Sequence, residues 1–223
     1  MGFSNDINVL FLDGYYSLGE KYKKSLYELG YSIYNCEDIY KEINSNYNIL
    51  DRFGDGRKKC FLRWLVIDKF FPNEKIIHYD GDIVFNENPK IIKEKFANKT
   101  FVLQGCPAIT SVSDSAWFIE YKKHLDLYAK NIEQYSNDAW EERNGWEITF
   151  NTRWAGSRFT KLMCHDQDLI SHLIHTGRII QDPLEKIMLD LKDYIIFENP
   201  LFVHTYDLSF PFYYSRENGI DYF

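Results

Sequence analysis

The sequence predicts an α/β fold, a sheet carrying helices on its faces, and three observations lead to it. Apolar runs of strand length recur at "INVLFLDGYY", "YSIYNCE", "KIIHYDGDIVF" and "FVLQGCPAI". Segments with helical character stand between them, and Gly, Pro and Asn mark the joins.

Taken in order, Ile7 to Tyr16 reads as a buried first strand breaking into a loop at Asp13-Gly14. "GEKYKKSLYELG" has helical character and stops at Gly30, a C-cap candidate. "YSIYNCE" follows as a second strand. "LDRFGDGRKKC" reads as a loop with two glycines and several basic residues, and "FLRWLVIDKFF" as a helix ended by Pro72-Asn73. The strand around Asp80 comes next, then a basic helix after Pro89, then the strand "FVLQGCPAI".

The second half is less regular. "SAWFIEYKKHLDLYAKNIEQY" is one amphipathic helix by its periodicity. "NDAWEERNGWEITFNTRWAGSRF" supports no assignment. "HDQDLISHLIHTG" reads as a capped helix, with Asp166 ahead of the apolar run and Gly177 closing it. "NPLFVHTYDLSFPFYY" is an extended aromatic segment. No repeat, low-complexity tract or linker divides the 223 residues, so a single domain over 1–223 is expected.

Composition bounds the function. Apolar residues at 45% and charged residues at 26% are those of a folded domain, and a net charge of −7 disfavours a partner held through a phosphate backbone, so no nucleic acid is expected. A phosphate compound would need a local arginine or a metal ion. The cysteines at 36, 60, 106 and 164 show no zinc-type spacing and read as free thiols of a reducing compartment. The opening residues lack signal-peptide character, and no apolar run suffices for a transmembrane segment; a cytoplasmic protein is the expectation.

The informative stretch is "IIHYDGDIVF". Asp80 and Asp82 lie two apart at the end of a strand, where side chains face the same way and α/β sheets place their ligands. Such a pair can reach one hard cation, Mg²⁺ or Mn²⁺, of the kind that bridges carboxylates to substrate phosphates. An EF-hand is excluded, because Phe85 and Ile91 stand where glycine and glutamate are required. Two solvated aspartates on a surface turn would give the same string. So would a haloacid-dehalogenase-like phosphatase with Asp80 as nucleophile and Asp82 as acid/base; "MLDLKDY", with Asp190 and Asp193, would be its further acidic pair. The loop "GDGRKK" is not a P-loop, and Arg57 within it is a weak phosphate candidate.

The wider window "FLRWLVIDKFFPNEKIIHYDGDIVF" resembles the donor-binding segment of GT-A fold glycosyltransferases of the retaining, glycogenin-like and lipopolysaccharide-galactosyltransferase-like family. It has an arginine-led helix (Arg63), a proline-ended turn (Pro72) and a strand into DxD. "HDQDLI" resembles the family's DQDxLN element, with Ser171 in place of its asparagine, and "FVHTYD" places His204 like the family's late histidine. The lysine-proline-tryptophan that follows that histidine in the family is replaced here by "SFPFYY".

The resemblance implies a GT-A-like single domain with a Rossmann-like, mostly parallel central sheet flanked by helices. Residues 1–100 would form the nucleotide-sugar half and 101–223 the acceptor side. It implies transfer of a hexose from a nucleotide-sugar donor, a UDP-sugar by expectation, to a glycan or other hydroxyl acceptor. Mn²⁺, or Mg²⁺, would be held by Asp80, Asp82 and His204. Arg63 would pair with the diphosphate or with Asp80. Asp13, Gly14 and Tyr15 would form the base and ribose platform, and Asp166, Gln167 and Asp168 would serve the sugar and the reacting centre, with Asp168 the more exposed and structural of the two aspartates. A degenerate transferase that only binds sugar is a further alternative.

Overall fold

The structure is a computed structural model that describes residues 7–80, 83–85, 88–102, 107, 109–142, 162–183, 195–197, 215–217 and 220–222. It is mixed α/β. Strand β1 (Ile7–Phe11) pairs in parallel with β2 (Tyr31–Asn35), Ile7 opposite Tyr31 and Phe11 opposite Asn35. The connection is helix α1 (Glu20–Glu28), and Gly30 at φ 87° turns the chain out of it as the sequence predicts. Of β1, only Ile7 is buried.

Helix α2 (Glu37–Asn44) buries Tyr40 and Ile43, and a 3₁₀ turn, Asn48–Phe53, leads to Gly54. Helix α3 (Asp55–Phe70) starts well before the Phe61 expected from the sequence, so the supposed loop "LDRFGDGRKKC" is a 3₁₀ turn joined to a helix start. The reason is local. Gly54 takes φ 82° and ψ 159°, a conformation nearly confined to glycine, and the chain enters the helix directly after it. Asp55 in the first turn favours the helix dipole, and the basic residues that suggested a loop are good helix formers. One of them, Lys58, is buried and donates to Asp51 at 2.5 Å.

Helix α3 ends at Phe70, and Asn73 adopts a left-handed φ of 62° just past Pro72. Strands β3 (Ile76–Tyr79) and β4 (Ile83–Phe85) flank the DGD segment. Helix α4 (Pro89–Phe96) follows, with the Asn88 side chain accepting from the Lys90 N–H at 2.9 Å and Pro89 at its first position. Strands β5 (Phe101–Val102) and β6 (Ile109–Val112) complete a three-stranded sheet in the order β3-β6-β5, both pairings antiparallel. The sequence did not mark β6, although all four of its residues are buried. Its centre is Thr110-Ser111, which breaks the apolar run. Both hydroxyls are satisfied inside, Ser111 by the Phe96 carbonyl and Thr110 by that of Pro107.

The long helix expected after Ser115 is two helices, α5 (Ala116–Lys130) and α6 (Ile132–Glu142). Asn131 divides them: its backbone is extended, and its side chain accepts from the Gln134 N–H at 3.0 Å. Helix α7 (Asp166–His175) ends at Gly177, φ 69°, as expected. Strand β7 (Ile195–Phe197) pairs antiparallel with β4, and β8 (Ser215–Glu217) with β9 (Ile220–Tyr222). Among the described strands, then, β1–β2 is the one parallel pair.

Helix α3 packs against α2, α5 and α7, which places it at the centre of the described core and brings residues from both halves of the chain into it. Phe61, Leu62, Trp64 and Val66 meet Tyr121, Leu125 and Tyr128 of α5 and Leu169 and Leu173 of α7, all buried. The tyrosine hydroxyls find buried acceptors, Tyr121 on the Phe61 carbonyl at 2.9 Å and Tyr128 on that of Met163 at 2.7 Å. No described helix is long and apolar enough to cross a membrane. The segments holding Asp190, Asp193 and His204 lie outside the described residues, as do most of "NDAWEERNGWEITFNTRWAGSRF" and of the aromatic tail.

Candidate functional site

On α3, Lys59 and Cys60 stand four and three residues before Arg63, each a neighbour of it on the helix surface. Arg63 joins two of the sequence-predicted elements. Its Nη1 donates to Asp80 Oδ1 at 2.8 Å, at the end of β3. Its Nε and Nη2 both donate to Asp166 Oδ2, at 3.1 and 2.9 Å, at the start of α7. One guanidinium thus ties the aspartate of the DGD segment to that of "HDQDLI". Burial opposes its charge, but the Asp166 and Asp80 carboxylates outweigh that and hold its pKa above the ordinary arginine value.

Asp166 has no exposed side-chain surface. Its Oδ2 also accepts from the Trp64 indole Nε1–H at 2.9 Å, and its Oδ1 from the backbone N–H of Gln167 at 2.9 Å. Burial alone would protonate such a carboxyl; Arg63 and then His165 hold its pKa well below the usual carboxylate range. As placed, Asp166 organises Arg63 rather than presenting an oxygen to solvent.

Asp80 keeps about a third of its side-chain surface exposed, 33%. Its Oδ1 contacts His78 Nε2 at 3.2 Å as well as Arg63, and among the described residues no donor reaches its Oδ2. Burial raises its pKa, but His78 and Arg63 prevail and lower it. Burial and the Arg63 charge lower that of His78. The His78 ring meets Trp64 edge-on, centroids 4.9 Å apart.

The third residue of the DQD element serves the helix start. Asp168 is fully buried rather than the more exposed aspartate, and its Oδ2 accepts from the backbone N–H groups of Cys164 at 2.9 Å and His165 at 3.1 Å. That is the reciprocal half of a capping box. It arises because His165, not Asp166, occupies the cap and Asp166 is already the first helical residue. Gln167 is buried beside them.

The predicted nucleotide loop connects to the same helix. Asp13 and Asp55 both pair with Lys59, one turn before Arg63. Gly14 takes φ 74°, and its carbonyl accepts from the N–H groups of Ser17 and Leu18. The Tyr15 N–H donates to Glu37 at 2.8 Å, and Lys23 lies over its ring, Nζ 4.6 Å from the centroid. Arg57 is exposed on the first turn of α3. Asp82 and His204 lie outside the described residues.

Four neighbours of this network were not singled out in the sequence: Cys60, Trp64, His78 and His165. Each had a positional signal. His78 stands two before Asp80 on one strand face, Cys60 is three before Arg63, Trp64 follows Arg63, and His165 precedes Asp166. Cys60, His165 and Asp166 each bring one donor atom to a common spot, within 4.8 Å of one another. His165 Nδ1 is 2.6 Å from Asp166 Oδ1, yet this buried nitrogen makes no well-directed hydrogen bond. Burial opposes protonation of His165, while Asp166 and Cys60 beside it hold its pKa up at about 10. No protein-family model, curated protein or solved structure matches this chain.

Proposed function

We propose that this protein is a metal-dependent glycosyltransferase that moves a hexose from a UDP-sugar to a hydroxyl acceptor such as a glycan. The observation that carries the reading is the Arg63 guanidinium shared between Asp80 and Asp166. It brings together two motifs far apart in sequence, each of which resembles part of the nucleotide-sugar site of the same family. A GT-A-like organisation, with the strands forming one Rossmann-like sheet, belongs to the same proposal.

Asp80 fits a metal ligand: its carboxylate is ionised, partly exposed and held by Arg63 and His78 through one oxygen. With Asp82 and His204 it would hold a divalent cation, Mn²⁺ by its mixed oxygen and imidazole donors, which would offset the charge of the departing diphosphate. The chain's own residues do the rest. Asp166, itself held by the Trp64 indole N–H, fixes the plane of Arg63. Arg63 keeps Asp80 ionised and adds positive charge in an otherwise acidic protein. Asp13, Gly14 and Tyr15, tethered to α3 through Lys59, supply the platform for base and ribose.

Thermal melting with UDP in the presence of Mn²⁺ or of a chelator tests this. Ligand at about 100 times its Kd adds about 2.7 kcal/mol, roughly 5–10 °C for a chain of this size. A shift that needs both UDP and Mn²⁺ is expected. A UDP shift indifferent to chelation removes the metal role of Asp80. No UDP shift, with phosphate released from small phosphoesters, transfers the assignment to a phosphatase.

A further inference from the structure

We propose that Cys60, His165 and Asp166 form a second metal site, selective for Zn²⁺ and separate from the hard-cation site at Asp80. One thiol, one imidazole and one carboxylate converge from α3 and the start of α7, with their donor atoms within 4.8 Å of each other. A thiolate beside an imidazole suits zinc, and the thiolate is the donor that Mg²⁺ and Mn²⁺ do not prefer.

The arrangement of Asp166 separates the two sites. Its Oδ2 edge is filled by Arg63 and Trp64, whereas its Oδ1 edge faces His165 Nδ1. His165 Nδ1 and Asp166 Oδ1 stand 2.6 Å apart without a well-directed hydrogen bond between them, and both face the same space as the Cys60 thiol. A cation drawing on both resolves that contact. The donors Oδ1 receives from Gln167 and Oδ2 from Arg63 and Trp64 are the outer contacts that orient a metal-binding carboxylate.

Three protein ligands leave a fourth position open to water or an external ligand.

The test uses the full-length, chelator-treated protein and Co²⁺ as a spectroscopic stand-in for Zn²⁺. One equivalent of Co²⁺ should give thiolate-to-cobalt charge transfer in the near ultraviolet together with intense four-coordinate visible bands, and one equivalent of Zn²⁺ should abolish them. Cys60→Ser should lose the charge-transfer band, Cys36→Ser should keep it, and His165→Asn should weaken binding by at least about tenfold, the lower end for loss of even an outer contact. In the unaltered protein Zn²⁺, but not Mn²⁺, should slow alkylation of Cys60 about tenfold or more, read by peptide mass, which covers a Cys60→Ser variant that fails to fold. A missing band, a band that survives Cys60→Ser, or equal alkylation with and without Zn²⁺ overturns the site. None of these readouts depends on UDP, so failure here is distinct from failure of the transferase reading.

Discussion

Arg63 Nη2 lies 2.9 Å from Asp166 Oδ2, and the carboxylate it meets is entirely removed from solvent. Removing one partner of a buried ion pair strands the other, which is why the pair dominates the predicted sensitivity of this site.

Arg63→Met should destabilise the fold by about 3–5 kcal/mol, roughly 6–20 °C in Tm at about 2–4 °C per kcal/mol. Adding Asp166→Leu should recover part of that loss, because no uncompensated charge remains. Thermal melting of the two singles and the double measures the coupling. Additive losses would mean that the two side chains act independently.

Asp80→Asn should separate function from stability. Its side chain is 33% exposed against 0% for Asp166, so its Tm should fall less than that of Asp166→Asn. The Mn²⁺-dependent part of the UDP shift should nevertheless disappear. A full shift in Asp80→Asn would remove the residue from the metal site.

Gly54→Ala should cost about 1–3 kcal/mol, because φ 82° with ψ 159° is a conformation other residues rarely adopt. A Cβ there meets nothing within 4 Å, so the cost is backbone strain alone. Denaturant titration measures it. Since Gly54 sets the start of α3, a neutral result would show that the helix can begin without it.

His165 sets a pH dependence in the metal-free protein. Its folded pKa, about 10, lies above the value of about 6.5 for an unfolded chain. Its contribution is therefore complete below about pH 6.5 and fades as pH rises through about 10. Tm should decline over that window, and His165→Asn should flatten the decline. An unchanged slope in the variant would assign it to other groups.

Much of this protein was legible along the chain. Apolar runs, a glycine after a helix and a proline at a helix start act over a few residues, so β2, α1, α4 and the end of α3 stand where the sequence places them. The same local signals misled at "GDGRKK", where one glycine conformation starts a helix, and at Asn131, whose side chain divides one expected helix into two. Strand β6 was hidden because Thr110-Ser111 breaks its apolar run, and the carbonyl that lets Ser111 be buried, that of Phe96, comes from α4.

By itself, the sequence determined the α/β character, the place of Asp80 at a strand end, Arg63 on a helix and a capped helix at Asp166. Only the tertiary structure decided that one guanidinium serves both aspartates, that Asp166 is closed to solvent while Asp80 is not, and that Cys60 meets His165. The reason is range. Propensity and capping act within a turn or two, whereas desolvation and charge pairing depend on which surfaces the packing of α3 against α7 brings together.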